Sequence, residues 1–131
     1  DTGVETVGKF VMGTVKGDIH TIGKMMTSTF LTASGFTVYD IGVDVEPVKF
    51  VEAIKEYKAD VVGMSALLSF TAPQQKRVIE TLVEAGIRDT VKVIVGGGAI
   101  TADFAESIGA DGYAAAGPGA VGLVKGLLGI K

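Results

Sequence analysis

The chain alternates five times between short apolar runs and stretches with helical spacing, and this alternation constrains the fold more than any other feature. Most of the runs are continuous rather than alternately apolar and polar, which is typical of parallel strands covered on both faces. They occupy residues 9–15, 36–41, 60–67, 91–96 and 111–116. Strict βα alternation predicts one α/β domain with right-handed crossovers, and we expect that domain to span residues 1–131.

The stretches between the runs predict five helices, each with apolar residues at intervals of three and four. In the first, the apolar positions are Ile22, Met25, Met26, Phe30 and Ala33, and Gly35 supplies a C-terminal stop. The second begins at Pro47, a favourable first-turn residue, and is expected to bury Phe50, Val51 and Ile54. The others are predicted over residues 71–86, with Val78, Ile79, Leu82 and Val83 on one face, over 101–108, and after Pro118.

Five βα units favour a doubly wound, flavodoxin-like parallel sheet in the order 2-1-3-4-5, with helices on both faces. In that order the sheet reverses between strands 1 and 3, and ligands bind outside the carboxyl ends of the strands there. The two loops that flank this crevice read KGDIHTIG and SALLSFTAP. The only histidine of the chain, His20, therefore falls where this fold binds its ligands.

Composition excludes several classes of function. A formal net charge of −3, with no basic stripe, argues against nucleic acid or an anionic membrane as a partner. No apolar run reaches the roughly 18 residues of a transmembrane helix. The absence of cysteine excludes disulfides, thiolate metal sites and thiol nucleophiles, and one histidine excludes a multi-histidine metal cage. We expect a cytoplasmic protein.

Asp18 and His20 are spaced i, i+2, so on an extended segment their side chains point the same way. A carboxylate that accepts the Nδ1 proton of an imidazole leaves Nε2 free as a base or a metal ligand. Three interpretations compete: a structural histidine, a Ser-His-Asp hydrolase that uses Ser65, and an axial ligand to a metal that brings its own equatorial ligands. The hydrolase is disfavoured because Leu67 stands where the nucleophile elbow G-x-S-x-G needs a second glycine.

Other patterns carry weaker signals. GPGAVG (Gly117–Gly122) matches the dinucleotide fingerprint, but it follows the fifth strand and no acidic partner comes after it. GGGAIT (Gly96–Thr101) lacks the third glycine. A phosphoacceptor receiver domain would need an aspartate at the end of strand 3, where this chain has Ser65.

Taken together, DIHTIG (Asp18–Gly23), SAL (Ser65–Leu67) and GG (Gly96–Gly97) resemble the D-x-H-x-x-G…S-x-L…G-G signature of cobalamin-binding domains. The resemblance runs from about Lys9 to Lys131. The phrases GTVKGDIHTIGK and GADGYA are most similar to the small corrinoid proteins of methyltransferase systems. Relatives in this family carry a helical module upstream that caps the corrin, and we expect none within this chain.

The resemblance implies a role for each motif residue. His20 would be the axial cobalt ligand that replaces the cofactor's own benzimidazole, Asp18 would hold His20, and Ser65 would hold Asp18. The cofactor-binding residues that it implies are Gly17, Asp18, Ile19, His20, Thr21, Ile22, Gly23, Ser65, Leu67, Ser69, Gly96, Gly97, Gly98, Tyr113, Ala116 and Gly117. Two departures from the family pattern concern the nucleotide tail: Thr21 replaces a common acidic residue, and Ala115–Ala116 replace a frequent polar pair.

The function implied by the resemblance is that of a methyl-carrying corrinoid protein, or its cobalamin module. It would carry the methyl group on cobalt, alternating between methyl-Co(III) and Co(I), from a donor-side to an acceptor-side methyltransferase, with a reductive activator as a further partner. Two alternatives share the axial histidine: the small domain of an adenosylcobalamin-dependent mutase, and a cobalamin-dependent sensor or regulator. The sequence does not name the methyl donor or acceptor.

Overall fold

The computed structural model describes residues 6–98, 100–114 and 119–129. Within them, five parallel strands form one sheet in the order β2-β1-β3-β4-β5. The strands are β1 (Lys9–Thr14), β2 (Thr37–Asp40), β3 (Val61–Ser65), β4 (Lys92–Gly96) and β5 (Gly112–Tyr113). The predicted order is confirmed, and β1 and β3 lie side by side at the point where the sheet reverses.

All five predicted helices are present. They are α1 (Ile22–Ala33), α2 (Pro47–Tyr57), α3 (Pro73–Glu84), α4 (Ala102–Ser107) and α5 (Gly119–Leu128), with a 3₁₀ turn over Arg88–Thr90. Pro47 and Pro73 occupy the first turns of α2 and α3, where the missing N–H costs no intrahelical bond. Of the predicted fifth strand only two residues pair with β4, and residues 115 and 116 lie outside the described part of the chain.

The sheet separates two apolar layers because successive strand residues point to opposite faces. Val11, Val62 and Val93 face α2, α3 and α4, and the predicted Phe50, Val51 and Ile54 are buried with them. On the other face Phe10, Val61 and Ile94 pack with Leu31 of α1 and Val124 of α5. The second layer is the smaller one, and it leaves room at the carboxyl end of the sheet.

The orientation of α1 differs from the pattern that predicted it. Ile22 is 77% exposed, and Met25, Met26 and Phe30 are exposed with it. The inward side carries Lys24 and Leu31, both buried. Periodicity therefore placed the helix correctly, although the apolar positions that define the period face outward. Of the four residues predicted on one face of α3, Val78, Ile79 and Leu82 are buried and Val83 is exposed.

Candidate functional site

His20 lies on the loop between β1 and α1, at the carboxyl end of the sheet. The loop turns at Gly17, whose φ of +85° lies in the left-handed region that favours glycine. The side chain of His20 is 50% exposed, whereas that of Asp18, two residues earlier, is 0% exposed. A buried carboxylate thus lies beside a half-exposed imidazole.

One carboxylate oxygen of Asp18 holds His20 twice. Oδ1 lies 2.9 Å from Nδ1 of the imidazole and accepts the backbone N–H of His20 at 3.0 Å. An ionised carboxylate accepts hydrogen bonds and donates none, so Nδ1 carries the proton. Nε2 makes no hydrogen bond to a described residue, and its lone pair is therefore available to a proton or a metal.

The second oxygen of Asp18 is held by the segment that follows β3, through a different residue from the one expected. Oδ2 accepts the backbone N–H of Leu67 at 2.7 Å and the hydroxyl of Thr71 at 2.8 Å. Among the described residues, Ser65 makes no hydrogen bond to Asp18. The expectation that Ser65 holds Asp18 is corrected: Ser65 ends β3 and lines a cavity, whereas Thr71 lies in the turn before α3 and reaches back to the carboxylate.

These contacts keep Asp18 ionised. Burial by itself raises the pKa of this carboxyl group, since it removes water from the charge. The backbone N–H groups of His20 and Leu67 and the side chains of His20 and Thr71 outweigh burial, and they hold the pKa of Asp18 well below its ordinary value. The group that orients the imidazole therefore carries a negative charge at neutral pH.

A cavity of about 430 Å³ extends from His20 between the sheet and helices α1 and α5. That volume lies within the range of small-molecule and cofactor sites. Its lining is mainly apolar or glycine, with a few polar side chains. The lining residues are Phe10, Met12, Gly13, His20, Gly23, Lys24, Thr27, Gly63, Met64, Ser65, Leu67, Ile94, Val95, Gly96, Gly97, Gly98, Tyr113, Ala114 and Ala120.

The structure brings together about half of the cofactor-binding residues predicted from sequence. Those that line the cavity are His20, Gly23, Ser65, Leu67, Gly96, Gly97, Gly98 and Tyr113. Five flank His20 in the chain without lining the described part of the cavity: Gly17, Asp18, Ile19, Thr21 and Ile22. Ser69 is exposed on the loop after β3 and does not line it either. Ala116 and Gly117 lie outside the described residues, as does Ala115.

Two glycines at the carboxyl end of β4, Gly96 and Gly97, allow this edge of the cavity to form. A Cβ atom at Gly96 would lie 2.5 Å from the carbonyl oxygen of Ala114, and one at Gly97 would overlap the backbone of Ala66. Gly97 also has a φ of +128°, a backbone conformation that residues other than glycine rarely adopt. Backbone approaches backbone here, so the cavity wall is set by main-chain atoms.

Sequence reasoning missed three polar residues of the site: Thr71, Lys24 and Gln75. The buried amide of Gln75 donates hydrogen bonds of 3.1 Å to the carbonyls of Met64 and Gly96, which ties the ends of β3 and β4 together. Lys24 follows directly on the D-x-H-x-x-G motif, and Thr71 lies at the predicted start of the third helix. The hydrogen-bond partners of Lys24 and Thr71 lie on other elements, and the local sequence around each residue does not identify them.

The fold and the site define a class of protein: a doubly wound α/β domain with one oriented imidazole above an apolar cavity at the topological switch point. The described residues contain no cluster of three or more His, Cys, Asp or Glu side chains that could hold a metal ion. A single imidazole suits a metal whose other ligands belong to a cofactor. Residues 8–124 match the B12 binding domain family, and the chain belongs to that family.

Known proteins similar to this chain agree with the family. Dimethylamine corrinoid protein 1 of Methanosarcina acetivorans is 50% identical over 122 residues, which are 93% of this chain and 57% of that protein. The monomethylamine corrinoid protein of Methanosarcina barkeri has a TM-score of 0.85 at 33% identity, over 91% of this chain and 57% of that one. The methanol:cobalamin methyltransferase complex of the same organism gives a TM-score of 0.90 at 28% identity, over 98% of this chain and 50% of that one.

The chain spans more than half but less than three quarters of the length of the curated relatives it matches first. None of the helices in the described ranges has the length and apolar character needed to cross a membrane.

Proposed function

We propose that this chain is the cobalamin-holding module of a methyl-carrying corrinoid protein, with His20 as the axial ligand to cobalt. One observation carries the proposal: a buried, ionised Asp18 holds Nδ1 of His20, so that Nε2 remains available beside the cavity. A carboxylate behind a metal-ligating imidazole fixes its tautomer and orientation and raises its basicity.

The surface around His20 fits a flat, largely apolar ring. Ile19 and Phe70 are more than two-thirds exposed, at 71% and 74%, and Leu67 is exposed as well. Large apolar side chains grouped at one exposed site favour a bound partner over water. The corrin ring would cover these residues while cobalt meets Nε2.

The cavity fits a nucleotide tail displaced from cobalt. A heterocycle can lie flat against the walls at Gly96 and Gly97, where no side chain intervenes. Ser65 lines the cavity, and its hydroxyl makes no hydrogen bond to a described residue, so it is available to a polar atom of the tail. The residues present therefore fit the cofactor that the family binds.

Bound cobalamin supplies a cobalt that accepts and releases a methyl group. The protein holds the imidazole through Nδ1, where Asp18 accepts the proton in a hydrogen bond, and leaves Nε2 to the metal. His20 would hold the cobalt of the cofactor through Nε2, and Asp18 would keep the imidazole in that orientation through Nδ1. Thr71 and Leu67 keep that carboxylate from rotating.

The relatives favour a methylated amine as the donor, since a dimethylamine corrinoid protein is 50% identical to this chain. The proposal includes a donor-side methyltransferase, an acceptor-side methyltransferase and a reductive activator as partners. A cofactor that passes through a strongly reduced state belongs in a reducing compartment, so the cytoplasm is the proposed location.

The test uses the protein reconstituted with cobalamin and reduced to Co(II). Electron paramagnetic resonance with ¹⁵N-histidine labelling reports whether the axial nitrogen belongs to the protein. We expect a histidine nitrogen in the wild-type protein and none in His20→Ala. An axial nitrogen from the cofactor's benzimidazole in the wild-type protein would show that His20 is not the cobalt ligand and would contradict the proposal.

A further inference from the structure

Lys24 is a buried lysine that the proposed role of His20 does not use. Its side chain is 4% exposed, and its Nζ lies 2.7 Å from Oδ1 of Asp40 and 2.8 Å from the carbonyl oxygen of Gly42. Removing an ammonium group from water costs several kcal/mol, and an apolar pair of similar volume is often as stable. Fold stability alone therefore does not account for a cation at this position.

The two acceptors of Lys24 define the start of the loop between β2 and α2, residues 41–46. Oδ1 of Asp40 also accepts the N–H of Gly42 at 2.9 Å, which closes a tight turn. The carbonyl of Gly42 accepts a second bond, from the N–H of Thr14, at 2.9 Å. Lys24 thus fixes the carbonyl group of Gly42, which is hydrogen-bonded to the N–H of Thr14 at the end of β1.

The segment that carries His20 is held at three points, two of them by Asp44 of the same loop. Thr14, fully buried, donates its hydroxyl to the carbonyl of His20 at 2.9 Å. Asp44 accepts the N–H of Gly17 on Oδ1 at 2.7 Å, and its own N–H donates to the carbonyl of Asp18 at 2.9 Å. The backbone around His20 is therefore tied to the residues that follow β2.

Asp44 adopts an unusual conformation to make these bonds. Its φ is +52°, and outside glycine this left-handed region is uncommon, with aspartate and asparagine enriched in it. An exposed residue kept in such a conformation, with both its N–H and its carboxylate on the histidine loop, indicates a positional constraint.

We infer that Lys24, Asp40, Gly42 and Asp44 form a clasp that sets the position of His20, so that Lys24 and Asp44 are positioning residues for the axial ligand. Lys24 also lines the cavity. A ligand in the cavity would therefore lie against the clasp. The inference rests on the proposed function, since it concerns how well His20 reaches cobalt.

The experiment measures coordination of cobinamide, a corrin without a nucleotide tail, to the apo-protein by absorbance titration. Because the probe has no tail, the readout depends on His20 rather than on occupation of the cavity. Asp44→Gly removes the carboxylate while a glycine keeps the left-handed backbone, and Asp44→Asn retains both an acceptor and that conformation. Lys24→Met removes the cation at similar size.

We expect Asp44→Gly and Lys24→Met to weaken coordination by about tenfold, as loss of a group that orients a ligand does. Asp44→Asn should stay near the wild-type affinity, as should Lys49→Met, which removes an exposed lysine of α2. If Lys24→Met does not fold, Asp44→Gly decides the question.

The outcomes separate the two proposals. Wild-type coordination that is lost in His20→Ala but survives both Asp44→Gly and Lys24→Met would overturn the clasp and leave the proposed function intact. Equal affinity of the wild-type protein and of His20→Ala for cobinamide would contradict the proposed function and, with it, the clasp.

Discussion

The hydroxyl of Thr71 donates a hydrogen bond of 2.8 Å to Oδ2 of Asp18, from a position 53 residues further along the chain. Thr71→Val preserves the shape of the side chain and removes the donor. Because Asp18 orients His20, we expect this change to weaken coordination of cobalt by His20 roughly tenfold, a typical cost for an outer partner of a metal ligand. Binding of cobinamide, followed by absorbance, measures the effect.

Two variants serve as controls for Thr71. Thr71→Ser restores the hydroxyl and should return the affinity close to that of the wild-type protein. Ser65→Ala should leave His20 coordination of cobinamide unchanged, because Ser65 does not touch Asp18. A large loss in Ser65→Ala with none in Thr71→Val would reinstate Ser65 as the support of the carboxylate.

The predictable and unpredictable parts of the site differ in the range of the interactions that set them. Asp18 and His20 are two residues apart, so their shared direction followed from local geometry. The strand order followed from a strongly periodic alternation of elements and the handedness of crossovers. The partner of Asp18 depended on where the turn before α3 returns to the sheet, and no local pattern distinguishes Thr71 from Ser65.

The outward face of α1 shows a second limit. Apolar spacing predicts a helix and favours its apolar side for the core, yet Ile22 and Met25 face outward while Lys24 is buried. The cation is accepted because Asp40, at the end of β2, and Gly42, in the loop that follows, lie opposite it. A buried charge needs a tertiary partner, and periodicity carries no information about that partner.

Filling the cavity separates binding of the tail from binding of the corrin. Ser65→Leu places a larger apolar side chain on the cavity wall and removes no hydrogen bond within the described residues. We expect a folded protein that loses most of its affinity for cobalamin but binds cobinamide about as well as the wild-type protein. Absorbance titrations with the two corrinoids measure both quantities.

A matched substitution on α4 controls for the change in polarity. Ser107→Leu makes the same replacement at an exposed position away from the cavity, and it should leave both affinities unchanged. Undiminished binding of cobalamin by a folded Ser65→Leu protein would place the tail elsewhere.

Gly97 is expected to be required for folding rather than for ligand contact alone. A Cβ atom there overlaps the backbone of Ala66, and its φ is +128°. Gly109 also has a positive φ, +83°, but a Cβ atom there meets nothing within 4 Å. Gly109→Ala should therefore cost about 1–2 kcal/mol of unfolding free energy, the price of the left-handed conformation, and Gly97→Ala should cost clearly more. Chemical denaturation of the apo-proteins compares the two, and equal losses would mean that the backbone at Ala66 moves aside freely.

The depressed pKa of Asp18 predicts how the apo-protein responds to acid. A carboxyl group whose pKa is lower in the folded than in the unfolded state contributes stability above the unfolded value, about 3.9, and loses that contribution as the pH falls toward the folded value. Asp18→Asn lacks this titration, and its amide cannot accept all four hydrogen bonds.

At pH 7 the variant should therefore be less stable than the wild-type protein by about 1–3 kcal/mol, the cost of leaving buried donors unpaired. Below about pH 4 the wild-type protein should lose stability faster than the variant, and the gap should narrow. Denaturation curves at a series of pH values measure the gap, with Asp89→Asn as the control, since Asp89 is exposed in the 3₁₀ turn. A gap between wild-type protein and Asp18→Asn that stays constant from pH 7 to pH 3 would show that Asp18 titrates alike in the folded and unfolded states, and that the fold does not stabilise the carboxylate beside His20.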